Sequence, residues 1–221
     1  MDVKTIRVKK DILSANTRTA EQTRSKLDKH HVRMINFMSS PGSGKTSLIM
    51  KTIDRFKDRY SMAVIEGDIA SSIDAERISR LNIRAIQINT GGGCHLDANM
   101  IEKALTDLEL EQLDLVFIEN VGNLVCTADI DLGAHKNVVI LSIPEGDDKP
   151  YKYPTIFLEA DTVLVNKIDV LPYFDFDLGV FPEIINGLNP LATVLPVSAK
   201  SGEGLDDWFA WIEQTLAPTK R

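Results

Sequence analysis

A chain of 221 residues is long enough for one sizeable α/β domain with a full core and too short for two ordinary ones. Its 32 acidic against 25 basic side chains, a net charge of −7, leave no basic surplus to neutralise a phosphate backbone, which argues against nucleic acid as a main partner. No apolar run reaches the roughly 20 residues of a membrane span, and the opening MDVKTIRVKKDILSANTRTAEQ lacks the apolar centre of a signal peptide. The expectation is a cytoplasmic protein with no membrane partner, in which Cys94 and Cys126 stay reduced.

Residues 1–31, with scattered apolar positions at Ile6, Ile12, Leu13 and Leu27, predict a helical lead-in; residues 32–221 then form the domain proper. From Val32 onward, short apolar runs alternate with helix-like stretches, the pattern of a mostly parallel central sheet with helices on both faces. Strands are predicted near 33–38, 61–66, 84–88, 114–119, 137–143, 161–166 and 192–197, about seven in all. Helices are predicted near 45–57, 74–81, 95–110, 178–188 and 204–216. Between 144 and 160, Pro144, Pro150 and Pro154 speak against a continuous helix or central strand, and a mobile functional loop is expected.

The run SSPGSGKT, residues 39–46, stands between an apolar strand and a helical pattern. Backbone N–H groups of Gly42, Ser43 and Gly44, with the positive end of the following helix through Ser47, suit phosphate oxygens. Lys45 reaches the terminal phosphates, and the Thr46 hydroxyl suits Mg²⁺; this is the phosphate loop of a P-loop NTPase. Ser39 takes the place of the motif's first glycine, which requires a backbone there that is not glycine-like.

Downstream, VLVNKID ends a predicted strand with Asn166, Lys167 and Asp169, an arrangement that resembles the guanine-specificity motif of GTPases. In that resemblance Asp169 accepts from the guanine N1 and N2 donors, which adenine lacks, while Asn166 and Lys167 brace and cover the base. Ser198, Ala199 and Lys200 match the last base-contacting loop of such proteins, with the Ala199 N–H facing the guanine O6. The nucleotide is therefore expected to be GTP or GDP. Asp68, closing EGD, and Asp74 are further carboxylates for Mg²⁺, although Asp68 could simply end a strand and Asp74 cap a helix. ENVG, with Glu119 and Gly122, replaces the DxxG of ordinary GTPases, whose glycine N–H senses the γ-phosphate. No glutamine follows to orient an attacking water, so intrinsic hydrolysis should be slow. Lys45, Asp68, Glu119 and Gly122 are the expected catalytic group.

GGGCHLD puts Cys94 and His95 at the start of a predicted helix, where the dipole favours a thiolate, and Cys126 follows ENVGNLV. Cys and His suit borderline-soft ions such as Ni²⁺ or Zn²⁺, yet the spacing is not a zinc signature, and a free Cys is often core filler.

Together, SSPGSGKT, EGDIA, GGGCHLDA, IENVGNLVC, NKID and SAKSGEG resemble the hydrogenase nickel-incorporation GTPases, the HypB family, from about residue 32 to the end. The resemblance implies a maturation factor that uses GTP hydrolysis to deliver nickel to the large subunit of a [NiFe] hydrogenase, beside a companion nickel-binding maturation protein. It further implies Ni²⁺ or Zn²⁺ on Cys94, His95 and Cys126, and a homodimer in the GTP-bound state. Two alternatives stand beside it. One is a urease-accessory nickel GTPase, disfavoured because that type pairs its ligands as Cys-Pro-His. The other is a regulatory GTPase switch whose cysteines are structural.

Overall fold

The structure, a computed structural model, describes residues 8–68 and 83–217. Seven strands, β1 (Arg33–Ser39), β2 (Met62–Asp68), β3 (Arg84–Asn89), β4 (Leu115–Glu119), β5 (Lys136–Ser142), β6 (Thr162–Asn166) and β7 (Thr193–Pro196), pair in parallel in the order β3-β2-β4-β1-β5-β6-β7. The described helices are α1 (Val8–Lys29), α2 (Lys45–Phe56), α3 (Ala98–Leu105), α4 (Lys149–Lys152), α5 (Pro154–Leu158), α6 (Phe181–Leu188) and α7 (Leu205–Leu216).

Alternation along the strands divides the core. Ile35, Phe37, Val64, Phe117 and Val138 face α2 and α7, where Trp208 is fully buried. Met34, Ala63, Ile65, Val116 and Ile118 face the other way, with Leu27 of α1 and Ile101 of α3. Further along that second face, Val139, Val163 and Val165 pack against Ile156, Phe157 and Phe181. A sheet buried on both faces needs near-continuous apolar strands, which the sequence supplies. All strands point the same way, so their carboxyl ends form one rim, the usual location of a ligand crevice in open α/β sheets.

Three expectations need correction. The helix foreseen over 95–110 is only α3, because Asp97 caps it by accepting from Met100 N at 2.8 Å and so begins it four residues past Cys94. The one foreseen over 178–188 begins at Phe181, with Pro182 in its first turn. Residues 144–160 are not a loose loop: the prolines open α4 and α5, and Ile156 and Phe157 are fully buried. The helix expected over 74–81 lies outside the described residues. No helix among the described residues is long and apolar enough to cross a membrane.

His135 joins α1 to the sheet. Its backbone N–H donates to Met34 O at 2.8 Å, its Nδ1 accepts from Met34 N at 3.0 Å, and its Nε2 lies 3.2 Å from Asp28 Oδ1. Nδ1 is therefore the unprotonated nitrogen and Nε2–H the donor. Burial, chiefly, and the nearby Arg33 charge hold its pKa below the ordinary 6.5, against the pull of Asp28. The unfolded chain thus takes up this proton first as pH falls. The His135 contribution to stability is complete above about pH 6.5 and is lost progressively below it, toward the lower folded-state value. Urea melts at about pH 7.5 and about pH 5.5 should show a midpoint drop that is smaller in His135→Gln. An equal drop in both proteins would show that His135 does not carry this effect.

Candidate functional site

The turn after β1 carries the phosphate-loop sequence on the rim. Its glycines Gly42 and Gly44 have φ of +75° and +101°, and α2 starts at Lys45. Ser39, fully buried, has no positive φ, which is why a serine is tolerated where related loops carry glycine. Its hydroxyl accepts from Ser43 Oγ at 2.6 Å and from Lys45 Nζ at 2.8 Å while donating to Ser40 O at 2.7 Å. The substituted position therefore holds the loop lysine in place.

A cleft of about 550 Å³ opens over this loop, lined among others by Lys45, Thr46, Glu66, Glu119, Gly122 and Lys167. Thr46 Oγ1 donates to Glu119 Oε1 at 2.7 Å, so the hydroxyl expected on Mg²⁺ is in contact with the first carboxylate of ENVG, which was expected on the γ-phosphate side and not among the Mg²⁺ carboxylates. Hard oxygen donors at the start of α2 suit that ion. Glu66, not among the carboxylates expected from the sequence, also lines this cleft. It lies opposite Glu119 in the β2–β4 register and is 3% exposed at the cleft wall. The signal was available in the alternation of β2, since Met62 and Val64 face α2 and Glu66 follows at the same parity. Asp68 is the last residue of β2, and Asp74 lies outside the described residues.

Beside the cleft, a second cavity of about 440 Å³ is lined by Ser47, Asn166, Lys167, Asp169, Ala199 and Lys200, among others. Asn166 Nδ2 donates to Ser43 O at 2.8 Å, and Lys167 Nζ donates to Gly42 O at 2.7 Å. These two residues thus brace the phosphate loop itself, and Lys167 lines both cavities. Asp169 Oδ1 accepts from Ser198 Oγ at 2.6 Å, with Lys200 Nζ 4.0 Å from Oδ2. The Ala199 N–H donates to Asn166 Oδ1 at 3.1 Å, so a guanine O6 would meet it as a second acceptor of a shared hydrogen.

Cys94 and His95 sit on the loop between β3 and α3, before the helix and not in its first turn, so the helix-dipole argument for the Cys94 thiolate does not apply. Cys94 Sγ is 3.6 Å from His95 Nδ1. Cys126 sits on the loop after β4, in a turn where Asn123 Oδ1 accepts from both Val125 N and Cys126 N. A hydrogen bond with Cys94, then burial and the Cys94 charge, raise the Cys126 thiol pKa, while Asn123 pulls it down. Both cysteines are free and half-buried. The sulfur and nitrogen donors suit a borderline-soft ion. They arrive as two arms, and among the described residues no three His, Cys, Asp or Glu side chains assemble into a finished metal site.

The arms and the nucleotide cleft are neighbours. Asn120, one residue past Glu119, accepts from Leu96 N at 3.4 Å and donates to Asn36 Oδ1 at 3.3 Å.

The sequence matches the CobW/HypB/UreG nucleotide-binding domain over residues 33–196. It is 51% identical over 212 residues to the hydrogenase maturation factor HypB of Rhizobium leguminosarum bv. viciae, covering 96% of this chain and 71% of that one. The crystal structure of hydrogenase maturation factor HypB from Archaeoglobus fulgidus superposes with a TM-score of 0.86 at 38% identity, covering 92% of this chain and 100% of that one. HypB from Helicobacter pylori, in complex with nickel, gives a TM-score of 0.86 at 40% identity over 92% of this chain and 96% of that one. Matched from the first residue of β1 to the last of β7, and close to HypB proteins in both sequence and structure, this chain belongs to the HypB family.

Proposed function

We propose that this protein is a GTP-hydrolysing metallochaperone of the cytoplasm that assists nickel insertion into a [NiFe] hydrogenase and dimerises when GTP is bound. The observation that carries the reading is the adjacency of two chemistries on one rim. A guanine-type nucleotide loop and a Cys/His pair are linked through the Asn120–Leu96 hydrogen bond. In this reading residues 1–31 are a lead-in and residues 32–221 are the GTPase domain.

Gly42, Ser43, Gly44, Lys45, Thr46 and Ser47 bind the phosphates through backbone N–H groups, hydroxyls and the Lys45 ammonium. Asn166, Lys167, Asp169, Ser198, Ala199 and Lys200 hold the base, Asp169 choosing guanine. Thr46, Asp68, Asp74 and Glu119 are the oxygen donors for Mg²⁺, which when bound supplies positive charge to the terminal phosphate oxygens. The Lys45 ammonium adds charge to the same oxygens, and Gly122 offers its N–H to the γ-phosphate. Cys94, His95 and Cys126 take Ni²⁺ or Zn²⁺ as cargo. A second copy meeting the first across the ENVG loop brings further donors to arms that are incomplete alone, which gives GTP-dependent dimerisation a purpose. The partners in transfer are the hydrogenase large subunit and a companion nickel-binding maturation protein.

The test is Ni²⁺ and Zn²⁺ stoichiometry, with oligomeric mass, in the presence and absence of a non-hydrolysable GTP analogue. The parent should bind metal and double in mass with the analogue, and Cys94→Ala should lose that metal. Metal binding indifferent to Cys94 would leave a regulatory GTPase with structural cysteines.

A further inference from the structure

We propose that Asn16, on α1, is a positioning residue that holds the two ligand arms at the separation metal capture requires; this rests on the metal-delivery reading above. The residue is 7% exposed, and its carboxamide bonds in two directions. Oδ1 accepts from Ala98 N at 2.9 Å, and Nδ2 donates to Asp131 O at 2.8 Å. Ala98 opens α3 three residues past His95, and Asp131 lies five residues past Cys126. One side chain therefore ties the backbone of the Cys94–His95 arm to that of the Cys126 arm.

The chemistry of this bridge is specific to asparagine. The Ala98 N–H is one of the first-turn donors a helix leaves without an internal partner, and Asp97 has already used its carboxylate on Met100 N. Asp131 O is an acceptor and needs a donor. Only a side chain with both, at this length, satisfies the pair.

The Asp131 loop is seated on α1 at a second point. Arg24 Nη2 donates to both Asp131 carboxylate oxygens, at 2.8 and 3.0 Å, and Gly133 N donates to Asp131 Oδ1 at 2.8 Å. Gly133 itself has φ of +79°, and a Cβ there would stand 2.7 Å from Ala20 O, so the α1 backbone lies directly against the loop. The lead-in helix is thus part of the frame on which both arms are hung, and Asn16 is the point where the two are joined.

Groups that orient metal ligands from behind commonly alter affinity on the order of tenfold or more when removed. The experiment is titration of the full chain with Ni²⁺ alone and Zn²⁺ alone, with the Ni²⁺–thiolate absorption band as a second readout. Asn16→Ala should weaken both metals by about tenfold and change the band. Asn16→Asp keeps an acceptor for Ala98 N and suits the helix N-terminus, yet it cannot donate to Asp131 O. It should also weaken metal binding, and it carries the test if Asn16→Ala does not fold. Thr19, whose Oγ1 donates to Asn99 Oδ1 at 3.1 Å, joins α1 to α3 without touching the Cys126 arm, so Thr19→Ala should match the parent. Parent-like affinity and band in Asn16→Asp would overturn the proposal while leaving the metal reading intact. Equal losses in Thr19→Ala would reduce Asn16 to general docking of α1 and would also overturn it. Unchanged metal binding in Cys94→Ala, run alongside, would remove both readings together.

Discussion

Gly44→Ala should abolish useful nucleotide binding, lowering GDP and GTP affinity roughly 10²- to 10⁴-fold. Two effects act at this residue. Its φ of +101° is one an alanine adopts only under strain, of order 1–3 kcal/mol. The added Cβ would also stand 2.4 Å from Asn166 Nδ2, far inside contact distance. Asn166 cannot simply swing away, because it donates to Ser43 O and accepts from Ala199 N. Displacing it releases the phosphate loop from the base loop, so one methyl group disturbs both cavities. Buried donors and acceptors left without partners cost about 1–3 kcal/mol each, which with the strain sets the expected range. Titration with a fluorescent GDP analogue measures it directly. An affinity within about threefold of the parent would mean that the loop relaxes freely and that this bracing is unimportant.

Asp169→Asn should lower GTP affinity roughly 10²- to 10⁴-fold while raising affinity for xanthosine triphosphate, an exchange of base preference and not a loss of the site. A carboxylate presents only acceptors, matched to the two donor groups on the guanine edge; an amide presents one acceptor and one donor, matched to xanthine. Hydrogen bonds to a charged group are worth about 1.5–3 kcal/mol each, and two are exchanged. Ser198 Oγ, 2.6 Å from Asp169 Oδ1, keeps the side chain aimed at the cavity in both proteins. Competition of GTP, ATP and xanthosine triphosphate against the fluorescent analogue distinguishes the outcomes. Equal displacement of the parent by ATP and GTP would sink the guanine assignment.

Most of the fold was legible because its determinants are local. Each of the seven strands is an apolar run at its predicted place, shifted by no more than a residue or two at its ends. Errors gathered where one polar residue competes with periodicity. Asp97 caps α3 and so denies Cys94 a helical position, and the prolines expected to break structure at 144–160 instead start two short helices. At the site, motif residues were legible and their partners were not. Lys167 and Asn166, expected to brace and cover the base, also bond to the phosphate loop, which no motif announces. Glu66 carries no motif, and its place on the cleft wall comes from the strand beside it, in the register with Glu119.

The sequence by itself determined the fold class, the phosphate loop, the guanine-type motif and the presence of Cys94, His95 and Cys126 beside those motifs. These depend on residue type, spacing and alternation within short stretches. Only the tertiary structure decided that Ser39 anchors Lys45, that Glu66 faces the cleft, that Asn120 reaches the Cys94–His95 loop, and that Asn16 joins Ala98 to Asp131. Each of these is a contact between segments far apart in the chain, and no local pattern records which polar groups will meet once the sheet and its helices have closed.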